Sequence, residues 1–207
     1  FSLKTFFFKN DLILSLSLIT VFTIYIFLPF FIFTPLVQIS MDSFDYSYLA
    51  KLIYDSNLPA SNLIIDLPIG YPFVIYLIKT FDLNFNHLVL FQLLTYLFSF
   101  LFLSYHLSKF TKFGGLITSF TFVFYSLNSH TIRHVFRIYP DSLYTSFLVF
   151  LIGGLFFYFR RRNRLSLIVV ISSISAAILL RSNGIYLLFL IPFFIYFEIA
   201  TKKKLMF

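Results

Sequence analysis

The first long apolar run sets the class of the chain. Residues 12–41 contain no Asp, Glu, Lys or Arg, and thirty residues at 1.5 Å each exceed the roughly 30 Å hydrocarbon core of a bilayer. Pro29 and Pro35 are expected to kink or end this helix, the latter near the far interface. Lys4 and Lys9 precede it as the n-region of a signal peptide would, but the run is too long and no small-residue cleavage site follows, so it reads as an anchor. Residues 42–70 break the pattern: Asp42, Asp45, Asp55 and Asp66 face a single Lys51. Within them Tyr46, Leu49, Ala50 and Ile53 fall at i, i+3, i+4 and i+7, the stripe of a short amphipathic helix lying on the membrane surface. Asn57, Pro59, Ser61, Asn62 and Pro68 mark irregular chain, and residues 73–80, after Gly70-Tyr71-Pro72, are too few to span and read as interfacial or re-entrant.

Five further charge-poor runs follow at 83–108, 113–132, 142–159, 165–180 and 182–197. The last two are only about 24 Å long by helical rise, which short spans accommodate by snorkelling flanking Arg or tilting less. Six spans place Lys4, Lys9, Lys109, Lys112, Arg160, Arg161, Arg162, Arg164, Lys202, Lys203 and Lys204 on one side, eleven of the sixteen cations. Lys51, Lys79, Arg133, Arg137 and Arg181 fall on the other, with six of the eight acids: Asp42, Asp45, Asp55, Asp66, Asp82 and Asp141. The positive-inside rule then makes the cation-rich side cytoplasmic, with the N-terminus, and the acid-rich loops extracytoplasmic. The expected fold is all-α, a polytopic transmembrane bundle of about six spans in a single domain over 1–207.

Composition agrees. The 207 residues are 59% hydrophobic, 23% aromatic and 12% charged with mean hydropathy +0.91, against about 25% charged in soluble domains. The net charge of +8 is then topological and does not point to nucleic acid. The 33 Phe without any Trp reflect codon bias at lipid-facing positions rather than base stacking. With no cysteine, disulfides, iron–sulfur clusters and thiolate zinc sites are excluded. The Ser172–Ala177 patch of small residues reads as close helix packing rather than serine catalysis.

Mid-span positions carry no ionisable group, so reactive side chains gather at headgroup depth on the acid-rich face, unlike the midplane sites of ion-coupled transporters. Asp42, with Asp45 one turn on and Tyr46 beside it, is either an N-cap alone or a cap that also accepts a proton from a hydroxyl nucleophile. Arg133 and Arg137 share a helical face and call for an anion, either a lipid phosphate or, for Arg137, the carboxylate of Asp141. Asp141 after Pro140 reads as the next helix's cap. His130 and His134 have metal-pair spacing, but no Glu stands between them and the arginines repel a cation, so no metal is expected. Arg181, in the turn Arg181-Ser182-Asn183-Gly184, runs against the inside bias and is a functional candidate. Tyr71, Tyr139 and Tyr186 could hydrogen-bond a sugar or simply sit at the interface.

Asp42-Ser43-Phe44-Asp45-Tyr46 with Ala50, Gly70-Tyr71-Pro72, Tyr139-Pro140-Asp141-Ser142 and Arg181-Ser182-Asn183-Gly184 resemble, in order and spacing, the GT-C membrane glycosyltransferases, nearest the protein O-mannosyltransferase and aminoarabinose transferase branch. The resemblance covers essentially the whole chain and implies a GT-C-like fold, with the chain as the N-terminal part of a longer enzyme. It also implies inverting transfer of a sugar from a polyprenyl-phosphate donor to a hydroxyl acceptor on lipid, glycan or protein, at the outer face of the cell (inner) membrane. The family's catalytic acid in the first outer loop matches Asp42. Asp45, Tyr46, Tyr71 and Asp141 would bind substrate, Arg133, Arg137 and Arg181 the donor phosphate, and no cofactor is needed beyond the lipid-linked sugar. Family members often carry adjacent acids where this chain has Asp42-Ser43, so a second carboxylate would come from Asp45 or Asp141. The alternative is a membrane protein without catalysis: a transporter, a lipid flippase or an accessory subunit.

Overall fold

The computed structural model describes residues 3–32, 37, 39–54, 68–128, 134–192 and 196, which are helical almost throughout and contain no strand. The helices are α1 (Leu3–Ile32), α2 (Met41–Tyr54), α3 (Gly70–Thr80), α4 (Phe85–Ser108), α5 (Gly114–Leu127), α6 (Asp141–Arg161) and α7 (Arg164–Leu180), followed by a 3-10 helix, Ser182–Phe189. Among the described residues α4 and α6 are long and apolar enough to cross a membrane, while the apolar stretches Asp11–Tyr25, Gly114–Leu127, Arg164–Leu180 and Ser182–Pro192 are shorter.

The boundaries depart from the apolar runs where capping chemistry intervenes. α1 starts nine residues before its charge-free run and passes through position 29, so Pro29 does not end it; Pro35 lies outside the described residues. α4 is capped by Asn84, whose Oδ1 accepts from the amides of Asn86 and His87 while His87 Nδ1 takes the amide of Asn84. The α6–α7 connection is only Arg162-Asn163, with Asn163 Oδ1 capping Ser166 N at 2.9 Å. The last apolar run begins as a 3-10 helix, not an α-helical span.

Contacts along α1, α4, α5, α6 and α7 make them alternate in direction. Ser15 near the start of α1 bonds Ser104 near the end of α4. Phe102 and His106 on α4 meet Phe157 on α6, so those two run parallel with α5 returning between them. The core is aromatic: Tyr96, Phe100 and Phe122 pack with ring centroids 5.1–5.7 Å apart. Large apolar side chains also face outward, Phe120 and Phe124 being 67% and 82% exposed, a surface suited to hydrocarbon and costly in water. Short α2 and α3 cover one end, where Gly70 is required because a Cβ there would lie 2.5 Å from the carbonyl oxygen of Leu179.

At the other end a buried acid was not anticipated as structural. Asp11 reaches across from α1 to the start of α5, its Oδ2 accepting from Gly115 N at 2.8 Å and its Oδ1 from Leu116 N at 3.0 Å. Free amides and the helix dipole make a helix N-terminus a fitting place for a carboxylate. Ser119 Oγ, bonded to Ser15 Oγ at 2.8 Å, continues the seam. We expect Asp11→Ala to lower stability by on the order of 2 kcal/mol, because two amides lose a charged acceptor, with Asp11→Asn less damaging; thermal unfolding in detergent measures both. Gly115→Ala, whose Cβ would lie 2.4 Å from Ser108 Oγ and 2.8 Å from Asp11 Oδ2, should cost about 1–3 kcal/mol by overpacking.

Candidate functional site

Asp42, Tyr46, Tyr71, His134, Tyr139, Asp141, Tyr144 and Arg181 come from four separate stretches of chain and meet at the end covered by α2 and α3. Gln92 organises them. It is fully buried on α4, its Oε1 accepts from Tyr71 Oη at 2.7 Å, and its Nε2 donates to the carbonyls of Val135 at 2.8 Å and Arg137 at 3.0 Å. Ser43 Oγ donates to the next carbonyl, Ile138 O, at 3.0 Å. Side chains from α2 and α4 thus satisfy the backbone of residues 135–138, which otherwise would be a costly irregular segment in an apolar setting.

Tyr139 follows that segment and is the junction of the site. Its ring stacks on His134 with centroids 5.5 Å apart and meets the Tyr46 ring edge-on at 6.0 Å; Tyr46 in turn meets Tyr71 at 5.2 Å. The carboxylates of Asp141 and Asp42 and the guanidinium of Arg181 are the charges that act on its hydroxyl. Burial, helped by the charges of Asp141 and Asp42 and opposed by Arg181, pushes the Tyr139 phenol above its ordinary range. Burial first, then Tyr139, Asp141 and Asp42, push Tyr46 from 10.0 up to about 12. Both stay protonated donors at neutral pH.

Asp141 opens α6 but does not cap it with its side chain. Its Oδ1 instead takes Nη1 of Arg181, the residue after α7, and its Oδ2 lies 4.0 Å from His134 Nε2. The Arg181 guanidinium also stands 5.8 Å over the Tyr144 ring. His134, Asp141, Tyr144 and Arg181 line a cavity of about 410 Å³ together with Tyr96, Tyr125 and Asn128. Asp42 does not line it, and neither does Tyr139, which stacks on the lining His134.

Of the residues singled out from sequence, Asp42, Tyr46, Tyr71, Asp141 and Arg181 therefore belong to one constellation. Asp45 is exposed on α2 and is not one of the charges acting on Tyr46 or Tyr139. Arg137 joins through its carbonyl; its Nε is buried with no hydrogen-bond partner among the described residues. Arg133 lies outside the described residues, as do His130, Asp55 and Asp66. Three local expectations are corrected. Asp42 sits in the first turn of α2 rather than at its cap, because Ser40 and Ser43 bond each other there at 2.9 Å. Asp141 caps nothing, and its cation is Arg181, not Arg137. Gln92 and His134 were not picked as site residues; the signal for Gln92 was an amide deep inside a 26-residue charge-free run, 83–108, whose other two amides, Asn84 and Asn86, stand at its start. No cluster of three metal-ligating side chains occurs among the described residues. The chain matches no protein-family model, and no characterised protein or solved structure is detectably similar to it.

Gln92→Leu should cost about 3 kcal/mol or more, since it strands the Tyr71 hydroxyl and two buried carbonyls at once; chemical unfolding in detergent checks this. The Tyr46 proton is held more tightly in the folded chain, so its contribution is complete below pH 10 and lost as pH rises through about 12. Tyr46→Phe should lose less stability than the parent over that window.

Proposed function

We propose that the chain is a GT-C-like, six-span membrane glycosyltransferase that moves a sugar from a polyprenyl-phosphate carrier to a hydroxyl acceptor, with inversion, at the extracytoplasmic face. The observation that carries this reading is the meeting of Asp42, Asp141 and Arg181 around Tyr139 beside a polar, aromatic-lined cavity at one end of the bundle. Aromatic faces with Asn and Tyr hydrogen-bonding groups suit a sugar ring, and a guanidinium suits phosphate.

In the proposed reaction the acceptor oxygen attacks the anomeric carbon opposite the phosphate. The new C–O bond forms as the bond to phosphate oxygen breaks, the acceptor proton passes to Asp42, and the departing charge settles near Arg181. Arg181 uses one nitrogen on Asp141, and its remaining N–H groups are chemically able to bind an anion. The buried Nε of Arg137 is a second donor of the required kind. Catalysis would then rest on positioning and charge stabilisation. The acid-rich end, with Asp42, Asp45, Asp82 and Asp141, and the opposite end, with Lys109, Lys112, Arg160, Arg161, Arg162 and Arg164, support the assigned orientation by the positive-inside rule.

The test is transfer from a radiolabelled polyprenyl-phosphate sugar in membranes carrying the chain in its full reading frame. Asp42→Asn should lower the rate by about 10²–10⁴-fold, the usual worth of a general base, without loss of folded protein. Undiminished transfer by a folded Asp42→Asn variant removes the general-base role, and no transfer by the parent from any such donor favours a transporter, flippase or accessory subunit.

A further inference from the structure

The basic end of the α6–α7 hairpin carries a second constellation that the proposed reaction does not use. A groove of about 540 Å³ runs between α6, α7 and the chain after Arg181, lined by Leu155, Phe159, Leu167, Ile171, Leu188 and Ile191 among others, with Ser175 its one polar lining residue. Its lower end stops within one helical turn of the connection: Phe159 is three positions before Arg162, and Leu167 three after Arg164. Arg162 and Arg164 are exposed, and no acid occurs in the sequence between Asp141 and Glu198 to neutralise them.

The backbone adds an independent observation. Arg162 ends α6 in the left-handed conformation, φ 46° and ψ 39°, its amide bonded to Tyr158 O at 2.7 Å. Glycine is the residue that takes this helix-ending position without strain, and a side chain there is disfavoured. The chain nevertheless places an exposed arginine at this point, three positions beyond Phe159 of the apolar groove.

We propose that this end of the hairpin binds an anionic phospholipid, one acyl chain in the groove and the phosphate between Arg162 and Arg164. An apolar slot that ends within a helical turn of two exposed arginines without an ion pair among the described residues complements a molecule with a hydrocarbon tail and an anionic head, and arginine matches phosphate in geometry as well as charge. The occupant is a bilayer lipid rather than the sugar donor, because Arg162 and Arg164, which would hold its phosphate, stand at the opposite end of α6 from Asp141. The inference rests on the membrane reading above but not on glycosyl transfer.

Native mass spectrometry of the purified chain, released from nanodiscs of phosphatidylglycerol and phosphatidylcholine with identical acyl chains, tests it. The parent should retain the anionic lipid about tenfold more than the zwitterionic one, an effect within reach of two surface cations. Arg162→Gly with Arg164→Gln should bring that ratio near one while thermal stability in phosphatidylcholine stays equal or rises, since glycine relieves the strained position. Ile171→Trp, which fills the groove, should reduce retention of both lipids. Equal retention by the parent, an undiminished ratio in the double variant, or a dimer carrying no lipid overturns the proposal. Displacement of the lipid by millimolar inorganic phosphate would also overturn it, because the groove would then contribute nothing. A chain that fails to enter nanodiscs contradicts the membrane reading itself, which is distinguishable from entry without lipid preference.

Discussion

A chain this apolar must satisfy its buried polar groups from within, and Gln92 shows how that requirement builds the rest. Its amide spends both hydrogens on the carbonyls of Val135 and Arg137 and its oxygen on Tyr71. Val135, Phe136 and Ile138 pack the segment before α6 against apolar side chains of α4, and Gln92 fixes its register by pairing the carbonyls that this packing buries. A fully satisfied polar hub is worth more in a low-dielectric interior than the same bonds in water, and an unsatisfied one costs correspondingly more. The site is therefore a product of hydrogen-bond accounting on a helix that carries no reactive group itself.

The same constraint operates at the other end. Asp11 and the Ser15, Ser104 and Ser119 hydroxyls close on each other and on the amides of α5, while His106 Nδ1 and Ser108 Oγ at that end are buried without hydrogen-bond partners among the described residues. At the site end some polar groups are unpaired too. Arg137 Nε and Ser142 Oγ are buried without hydrogen-bond partners among the described residues, and the Asp141–Arg181 pair borders an open cavity. What distinguishes the site end is that its ion pair opens onto a cavity, whereas the Asp11 carboxylate spends both oxygens on the amides of α5.

Much of this was legible in the sequence. The apolar runs marked the positions of α4, α6 and α7, the Tyr46, Leu49, Ala50 stripe became the buried face of α2, and 73–80 formed the short α3. Asp42, Tyr46, Tyr71, Asp141 and Arg181 were legible because charges and tyrosines at the ends of apolar runs are few. What periodicity could not supply was partner choice. Whether Asp141 caps α6 or bonds Arg181 depends on how α6 and α7 dock, a contact 40 residues long in sequence. Asp11 likewise does not stand out in the sequence, because its partners are 104 and 105 positions away. Gln92 was passed over for carrying no charge, although an amide in such a run has the same need for a partner.

The account depends most on the two ends of the bundle facing opposite sides of a bilayer, the acid-bearing site on one and the arginine-rich connection on the other. Because the sequence contains no cysteine, single cysteines at exposed positions 45 and 163 can be compared in sealed, oriented vesicles with a membrane-impermeant maleimide. Position 45 should label from the extracytoplasmic side and position 163 only after the vesicles are opened. Labelling of both from the same side would contradict the account.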